Sequence, residues 1–212
     1  MKMLILGGFL GSGKTTTLIR IGKALASQYG QRVAIIVNDC GEVTIDGKIV
    51  RDYGLDVTEI GSGCICCTVA GSLVTTLRSL KEGFKPSLIL VEPTGVAIPS
   101  QIKDVAAAER EVEEVSSVVL MDASRYETME GLIRSHREEG FKSLLEKQME
   151  AADVILVNKV DIATEEQVRR TEEMVRQANP GARVILFSAR TGQGIKELTG
   201  FIERMMGHGR GS

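Results

Sequence analysis

A chain of 212 residues and 22.9 kDa with 43% hydrophobic residues can build one sizeable core and is short for two. Its 26 Lys+Arg stand against 28 Asp+Glu, so no field of one sign recruits nucleic acid or an anionic membrane, and neither is expected as a partner. Any anion bound here has to be bound locally.

The apolar run Met3-Leu4-Ile5-Leu6 is too short for a signal-peptide core or a membrane span, which predicts a cytoplasmic chain and a buried strand over Lys2 to Gly7. It runs into Gly8-Phe9-Leu10-Gly11-Ser12-Gly13-Lys14-Thr15, a match to G-x-x-x-x-G-K-[ST] placed where that motif needs to be, between a strand and a helix. Glycines let backbone N–H groups converge on phosphate oxygens, and the helix dipole favours the anion there. Gly8, Gly11, Ser12 and Gly13 are expected to form this cradle. Lys14 is expected to reach the β- and γ-phosphates, and Thr15 to give its hydroxyl to Mg2+, with Thr16 and Thr17 beside it in the first helical turn.

The spacing predicts a helix over Lys14 to Tyr29, with Leu18, Ile21 and Leu25 on one face and Gly30 as terminator. A strand follows over Arg32 to Asn38. From Asp39 to Gly63 no clear period appears apart from a short strand over Asp56 to Ile60, and an irregular segment of that length in a compact domain is usually functional. Asp39 would end near the phosphates and is the first candidate to hold the magnesium shell or orient an attacking water. Glu42 and Asp46 are weaker ones.

Of the four cysteines, Cys64, Cys66 and Cys67 fall within Gly61-Ser62-Gly63-Cys64-Ile65-Cys66-Cys67, a poor spacing for disulfides and a good one for metal binding by reduced thiols. They stand at the head of an expected helix, where the dipole and backbone donors favour thiolates. Three thiolates leave one position of a tetrahedral zinc site to fill, by Cys40, Glu42, a water or a second subunit; Cu(I) or Co2+ would also suit soft ligands. The alternative is that these cysteines are small buried hydrophobes. His136 and His208 are read as surface residues.

The strand over Ser87 to Glu92 ends in Glu92-Pro93-Thr94-Gly95, putting a carboxylate at the carboxyl edge of the sheet, where ligands bind in open α/β folds. Glu92 is assigned to magnesium or its water shell, or else caps the following turn. The charge-rich stretch Ala108 to Glu114 reads as a solvated helix face. Further strands are expected over Ser117 to Asp122 and Val154 to Asn158.

That last strand delivers Asn158-Lys159-Val160-Asp161, an N-K-x-D motif. The Asp161 carboxylate can accept both the ring N–H and the exocyclic amine of guanine, a pairing adenine cannot supply. Asn158 would steady the loop and the base's far edge, and the Lys159 stem would cover the purine face. Such a site rejects the wrong base through the polar groups it would leave unpaired. Thr164 and Gln167 form a capping-box pattern before a helix over Val168 to Ala178. After a strand over Arg183 to Phe187, Ser188-Ala189-Arg190 fits a loop that closes on the guanine carbonyl through backbone N–H groups. Ile195, Leu198, Ile202 and Met205 mark the buried stripe of a last helix. Residues 1–206 are therefore expected to form a single domain, and 207–212 a flexible tail.

Alternating strands and amphipathic helices predict an α/β fold: a three-layer architecture with a mostly parallel central sheet and helices on both faces. The ordered set of motifs resembles the CobW family of metal-handling GTPases over nearly the whole chain. The residues that carry the resemblance are Gly8 to Thr15, Asn38 to Val43 with Ile45 to Gly47, Gly63 to Cys67, Glu92 to Val96 with Pro99, Val119 to Ala123, Gln148, and Asp153 to Asp161. It implies a SIMIBI-like P-loop NTPase fold and a GTP-hydrolysing metallochaperone or metal-insertion factor, slow without assistance. GTP/GDP, Mg2+ and Zn2+ or Co2+ would be its ligands, the C-x-C-C thiols its metal site, and a client metalloprotein its partner. A GTP-dependent homodimer could complete the site. Most relatives carry a second C-terminal domain and often a histidine-rich stretch, neither of which is expected within these 212 residues, and Cys40 stands where the family usually has an aromatic or other apolar residue. The rival reading is a GTP-dependent regulatory switch with structural cysteines. A small-molecule kinase is disfavoured by the N-K-x-D motif and the missing arginine-rich lid.

Overall fold

The computed structural model describes residues 1–29, 32–37, 56–59, 65–134 and 139–207, with the side chains of 26–29, 56–59, 65–72, 134 and 139 left aside. Strands β1 (Lys2–Gly8), β2 (Val33–Val37), β3 (Asp56–Glu59), β4 (Leu88–Glu92), β5 (Glu114–Asp122), β6 (Val154–Asn158) and β7 (Arg183–Leu186) form one sheet in the order β3-β2-β4-β1-β5-β6-β7. Every pairing is parallel. The described helices that alternate with these strands are α1 (Lys14–Tyr29), α2 (Ile65–Glu82), α3 (Pro99–Ala107), α4 (Tyr126–Arg134), α5 (Glu139–Glu150), α6 (Glu165–Ala178) and α7 (Ile195–Met205).

The strands read as continuous apolar runs because both faces of the sheet are covered. Leu4 and Leu6 of β1 pack on one face with Leu18, Ile21 and Leu25 of α1 and Leu198 and Ile202 of α7. Met3 and Ile5 point to the other face, where Leu73 and Leu77 of α2 and Ile102 of α3 lie. Beside them, Met129, Leu145, Met149 and Val175 of α4, α5 and α6 cover β5 and β6. The three-layer α/β expectation holds.

The helix over Lys14 to Tyr29 and the short strand at Asp56 stand as read. The capping box is complete, with the Thr164 hydroxyl accepting from the Gln167 N–H and the Gln167 side chain accepting from the Thr164 N–H. It opens α6 at Glu165, three residues before Val168. The stretch Ala108 to Glu114 is not a helix face. α3 ends at Ala107, a turn follows, and β5 begins at Glu114, earlier than its apolar run, because Glu114 pairs in register with Lys2. The charges there answer tertiary partners: Glu114 meets Lys2 at 2.8 Å, Glu113 the N-terminal amine at 2.7 Å, and Glu111 meets Lys81. Among the described residues no helix is long and apolar enough to cross a membrane.

Candidate functional site

The carboxyl ends of β1, β4, β5 and β6 converge on one edge of the sheet. β1 releases the chain at Gly8 into the turn that opens α1 at Lys14. Lys14 arches back so that its Nζ donates to the Phe9 carbonyl at 3.1 Å, leaving the side chain buried. That burial lowers its pKa from the ordinary 10.5, and the nearby Glu92 carboxylate opposes the shift. A buried ammonium above a glycine-rich turn is poised to meet an anion.

Thr15 Oγ1 donates to Glu92 Oε1 at 2.8 Å. Glu92, at the end of β4, is itself buried. A hydroxyl and a carboxylate side by side at the lysine end of the loop are hard oxygen ligands of the kind magnesium takes, so these residues fit that ion. Ser12 is buried within the loop, while Thr16 is exposed on α1 and Thr17 is buried. Gly95, three residues beyond Glu92, backs directly onto the Leu10 amide, where a Cβ would stand 2.9 Å from the nitrogen. The fully buried Gln148 of α5 holds that segment, donating from Nε2 to the carbonyls of Gly95 at 3.0 Å and Ala97 at 2.8 Å.

The N-K-x-D segment abuts this cradle. Asn158 Nδ2 donates to the Ser12 carbonyl at 2.6 Å, and its Oδ1 accepts from the Ala189 N–H at 3.0 Å. The contact demands glycine at position 13: its φ is +99°, and any Cβ there would run into Asn158 Nδ2. Lys159 takes a left-handed φ of 65°, and its Nζ donates to Asp122 Oδ2 at 2.7 Å. Asp122 Oδ1 accepts from the Ser124 hydroxyl at 2.6 Å and the Ser124 N–H at 3.1 Å.

Asp161 accepts from the Ser188 hydroxyl at Oδ1 (2.6 Å) and from Arg190 Nε at Oδ2 (2.7 Å). The Ser188 hydrogen bond is the chief cause that holds its carboxyl below the usual aspartate value, with Arg190 adding to it. In the Ser188-Ala189-Arg190 loop, the Ser188 N–H serves the Gln193 carbonyl, the Ala189 N–H serves Asn158, and the Thr191 N–H serves the Ser188 hydroxyl. Among the described residues, the expected group of free loop amides thus narrows to that of Arg190. Two arginines were passed over in the sequence. Arg125 lies with its guanidinium beside Gly11 and 3.6 Å from Asp122, and Arg20 grips the Ala189 and Arg190 carbonyls.

The expected metal residues divide differently. Asp39, Cys40, Glu42, Asp46 and Cys64 lie outside the described residues, as do His136 and His208. Cys66 and Cys67 fall in the first turn of α2, the helix head anticipated for them, with their side chains beyond the description. Among the described residues no three His, Cys, Asp or Glu side chains come together to hold a metal.

Residues 2–186 match the CobW/HypB/UreG nucleotide-binding domain family. The chain is 31% identical to the zinc-regulated GTPase metalloprotein activator 1 of Dictyostelium discoideum, over 87% of its own length and 45% of that protein. It is 33% identical to the zinc chaperone YeiR of Escherichia coli, over 87% of the chain and 54% of the relative. It spans about half the length of the curated relatives it matches. Among solved structures, the hydrogenase maturation factor HypB of Archaeoglobus fulgidus superposes with a TM-score of 0.67 at 20% identity, covering 97% of this chain and 90% of that one. HypB from Helicobacter pylori in complex with nickel gives 0.67 at 17% identity, covering 100% and 90%. These structures share the fold.

Proposed function

The chain belongs to the CobW/HypB/UreG family, and from that premise we propose that it is the GTP-binding and GTP-hydrolysing part of a metallochaperone or metal-insertion factor that delivers zinc to a client metalloprotein. Relatives named as zinc chaperones support the cargo. The observation that carries the nucleotide half is the Asn158–Ser12 hydrogen bond, which joins the base-reading motif to the phosphate loop as one continuous surface. Phosphates would lie in the Gly8–Gly13 cradle with Lys14 against the β- and γ-oxygens, and the base against Asp161.

In this reading Lys14 stabilises negative charge that develops as the γ-phosphoryl group departs, Asp39 holds the magnesium shell or orients the attacking water, and Glu92 holds Thr15 in place. Magnesium, when bound through Thr15 and Glu92, supplies further neutralisation of the β- and γ-oxygens. The Arg190 N–H, left without an acceptor among the described residues, would meet the guanine carbonyl, while Asp161 would take the two donors of the base. Thiolates of Cys64, Cys66 and Cys67 would hold the zinc cargo, with Cys40 or Glu42 as candidate fourth ligands and Co2+ as the other fitting metal. The segment from Asp39 to Asp46 follows the end of β2 and precedes the cysteine segment by about twenty residues of chain, and its ordering by GTP and magnesium would link nucleotide state to metal affinity.

Phosphate release from GTP and from ATP by the reduced protein with magnesium tests the reading. GTP turnover that is lost in Lys14→Ala, with ATP turnover at background, is expected. Equal turnover of the two nucleotides, or none of either in the presence of zinc and magnesium, would overturn it.

A further inference from the structure

Arg20 lies in the second turn of α1, the helix that begins at the phosphate-binding Lys14, yet its guanidinium is spent far away in sequence. Its Nε donates to the Ala189 carbonyl at 2.8 Å and a terminal nitrogen donates to the Arg190 carbonyl at 2.7 Å. The other terminal nitrogen lies over Gly192, which has a φ of +89° and where a Cβ would come within 2.8 Å of it. A side chain there would be strained by that φ and would push the guanidinium aside.

A peptide unit is planar and trans, so a carbonyl and the N–H of the next residue point in opposite directions. By drawing the Ala189 carbonyl toward α1, Arg20 turns the Arg190 N–H away from that helix. By drawing the Arg190 carbonyl the same way, it turns out the Thr191 N–H, which the Ser188 hydroxyl accepts at 3.0 Å. The Ser188 hydroxyl in turn donates to Asp161. Arg20 therefore sets, through two consecutive peptide planes, the direction of the Arg190 N–H, which lacks an acceptor among the described residues, and the position of the hydroxyl that orients Asp161.

We propose that Arg20 is a positioning residue for guanine recognition: it fixes the Arg190 N–H as the donor to the base's carbonyl and ties that donor rigidly to the phosphate-binding helix. The inference rests on the proposed seating of a guanine nucleotide. Arginine suits the task because its planar fork presents two parallel donors, which the single ammonium of lysine cannot reproduce.

The test compares GDP with 6-thio-GDP, which keeps the two donors read by Asp161 and replaces the carbonyl oxygen with a poorer acceptor. Calorimetry on the wild type is expected to favour GDP, and Arg20→Met and Arg20→Lys are expected to narrow that preference by about fivefold, the worth of one hydrogen bond. Preference for GDP over ADP persists in both variants, since Asp161 is intact. A merely structural Arg20 would weaken GDP and 6-thio-GDP alike. An unchanged GDP to 6-thio-GDP ratio in the conservative Arg20→Lys variant, alongside wild-type GDP binding, overturns the inference. Failure of the wild type itself to bind GDP overturns the guanine reading beneath it.

Discussion

Asn158 donates to the backbone of Ser12 across 146 positions of sequence, at 2.6 Å and in a fully buried setting. Both ends of its amide are engaged, the oxygen by the Ala189 N–H. The phosphate loop, the N-K-x-D segment and the Ser188–Arg190 loop thus share one side chain. Replacing it with alanine strands a buried carbonyl and a buried N–H, which costs about 1–3 kcal/mol per group. Asn158→Ala is expected to weaken GDP and a GTP analogue to a similar degree, about 10-fold or more by that cost, and to lower the melting temperature. Calorimetry and thermal denaturation measure both.

Asp161 offers two acceptors held in place by Ser188 and Arg190. An asparagine there offers one acceptor and one donor, the complement of xanthine, whose second ring carbonyl stands where guanine carries its amine. Asp161→Asn is expected to exchange guanine for xanthine preference, with each mismatched charged hydrogen bond costing about 1.5–3 kcal/mol. Competition of GDP and XDP for the two proteins shows the crossover.

Thr15 and Glu92 approach to 2.8 Å at the phosphate end of the site. Thr15→Ala removes one of the oxygen ligands proposed for magnesium, and Glu92→Gln removes the negative charge beside it. Both are expected to raise the magnesium concentration needed for half-maximal GTP turnover, while binding of GDP without magnesium changes little. A magnesium titration of turnover for the three proteins checks this.

The lowered pKa of Lys14 carries a sign that can be followed. Its folded value lies below the ordinary 10.5, so between the two the unfolded chain binds more protons, and stability rises with pH through that window. Below that window the charged, buried Lys14 thus costs stability, a cost the proposed triphosphate would offset. Lys14→Met is expected to raise the melting temperature of the nucleotide-free protein and to weaken nucleotide binding about 10–100-fold, as for a lost charged hydrogen bond. Wild-type affinity is expected to fall as pH rises through the lowered value, which a pH series of nucleotide titrations measures.

Much of this was legible in the residues. Doubly covered parallel strands write themselves as unbroken apolar runs, so Ser87 to Glu92 and Val154 to Asn158 are read directly; Glu92 and Asn158 end strands, and Lys14 and Asp161 follow strands at the fixed spacing of their motifs. What escaped was tertiary. Lys159 and Asp122 are 37 positions apart, Gln148 and Gly95 53, and Arg20 and Ala189 169. No periodicity announces such pairs. Charges at Glu111, Glu113 and Glu114 imitated a solvated helix because their partners, Lys81, the N-terminal amine and Lys2, come from elsewhere in the chain. Asp122 had a signal of its own, a carboxylate ending a central apolar strand as Glu92 does.

The coupling between nucleotide state and thiolate metal site is the centre of the account, and zinc titrations with GDP and with a non-hydrolysable GTP analogue test it. Wild-type zinc affinity is expected to differ between the two states by about 5-fold to 150-fold, with a reciprocal shift in nucleotide affinity. The Cys64→Ser, Cys66→Ser, Cys67→Ser triple variant is expected to keep its nucleotide binding and to lose tight zinc in both states. Equal zinc affinity with either nucleotide, or undiminished zinc stoichiometry in the triple variant, would contradict it.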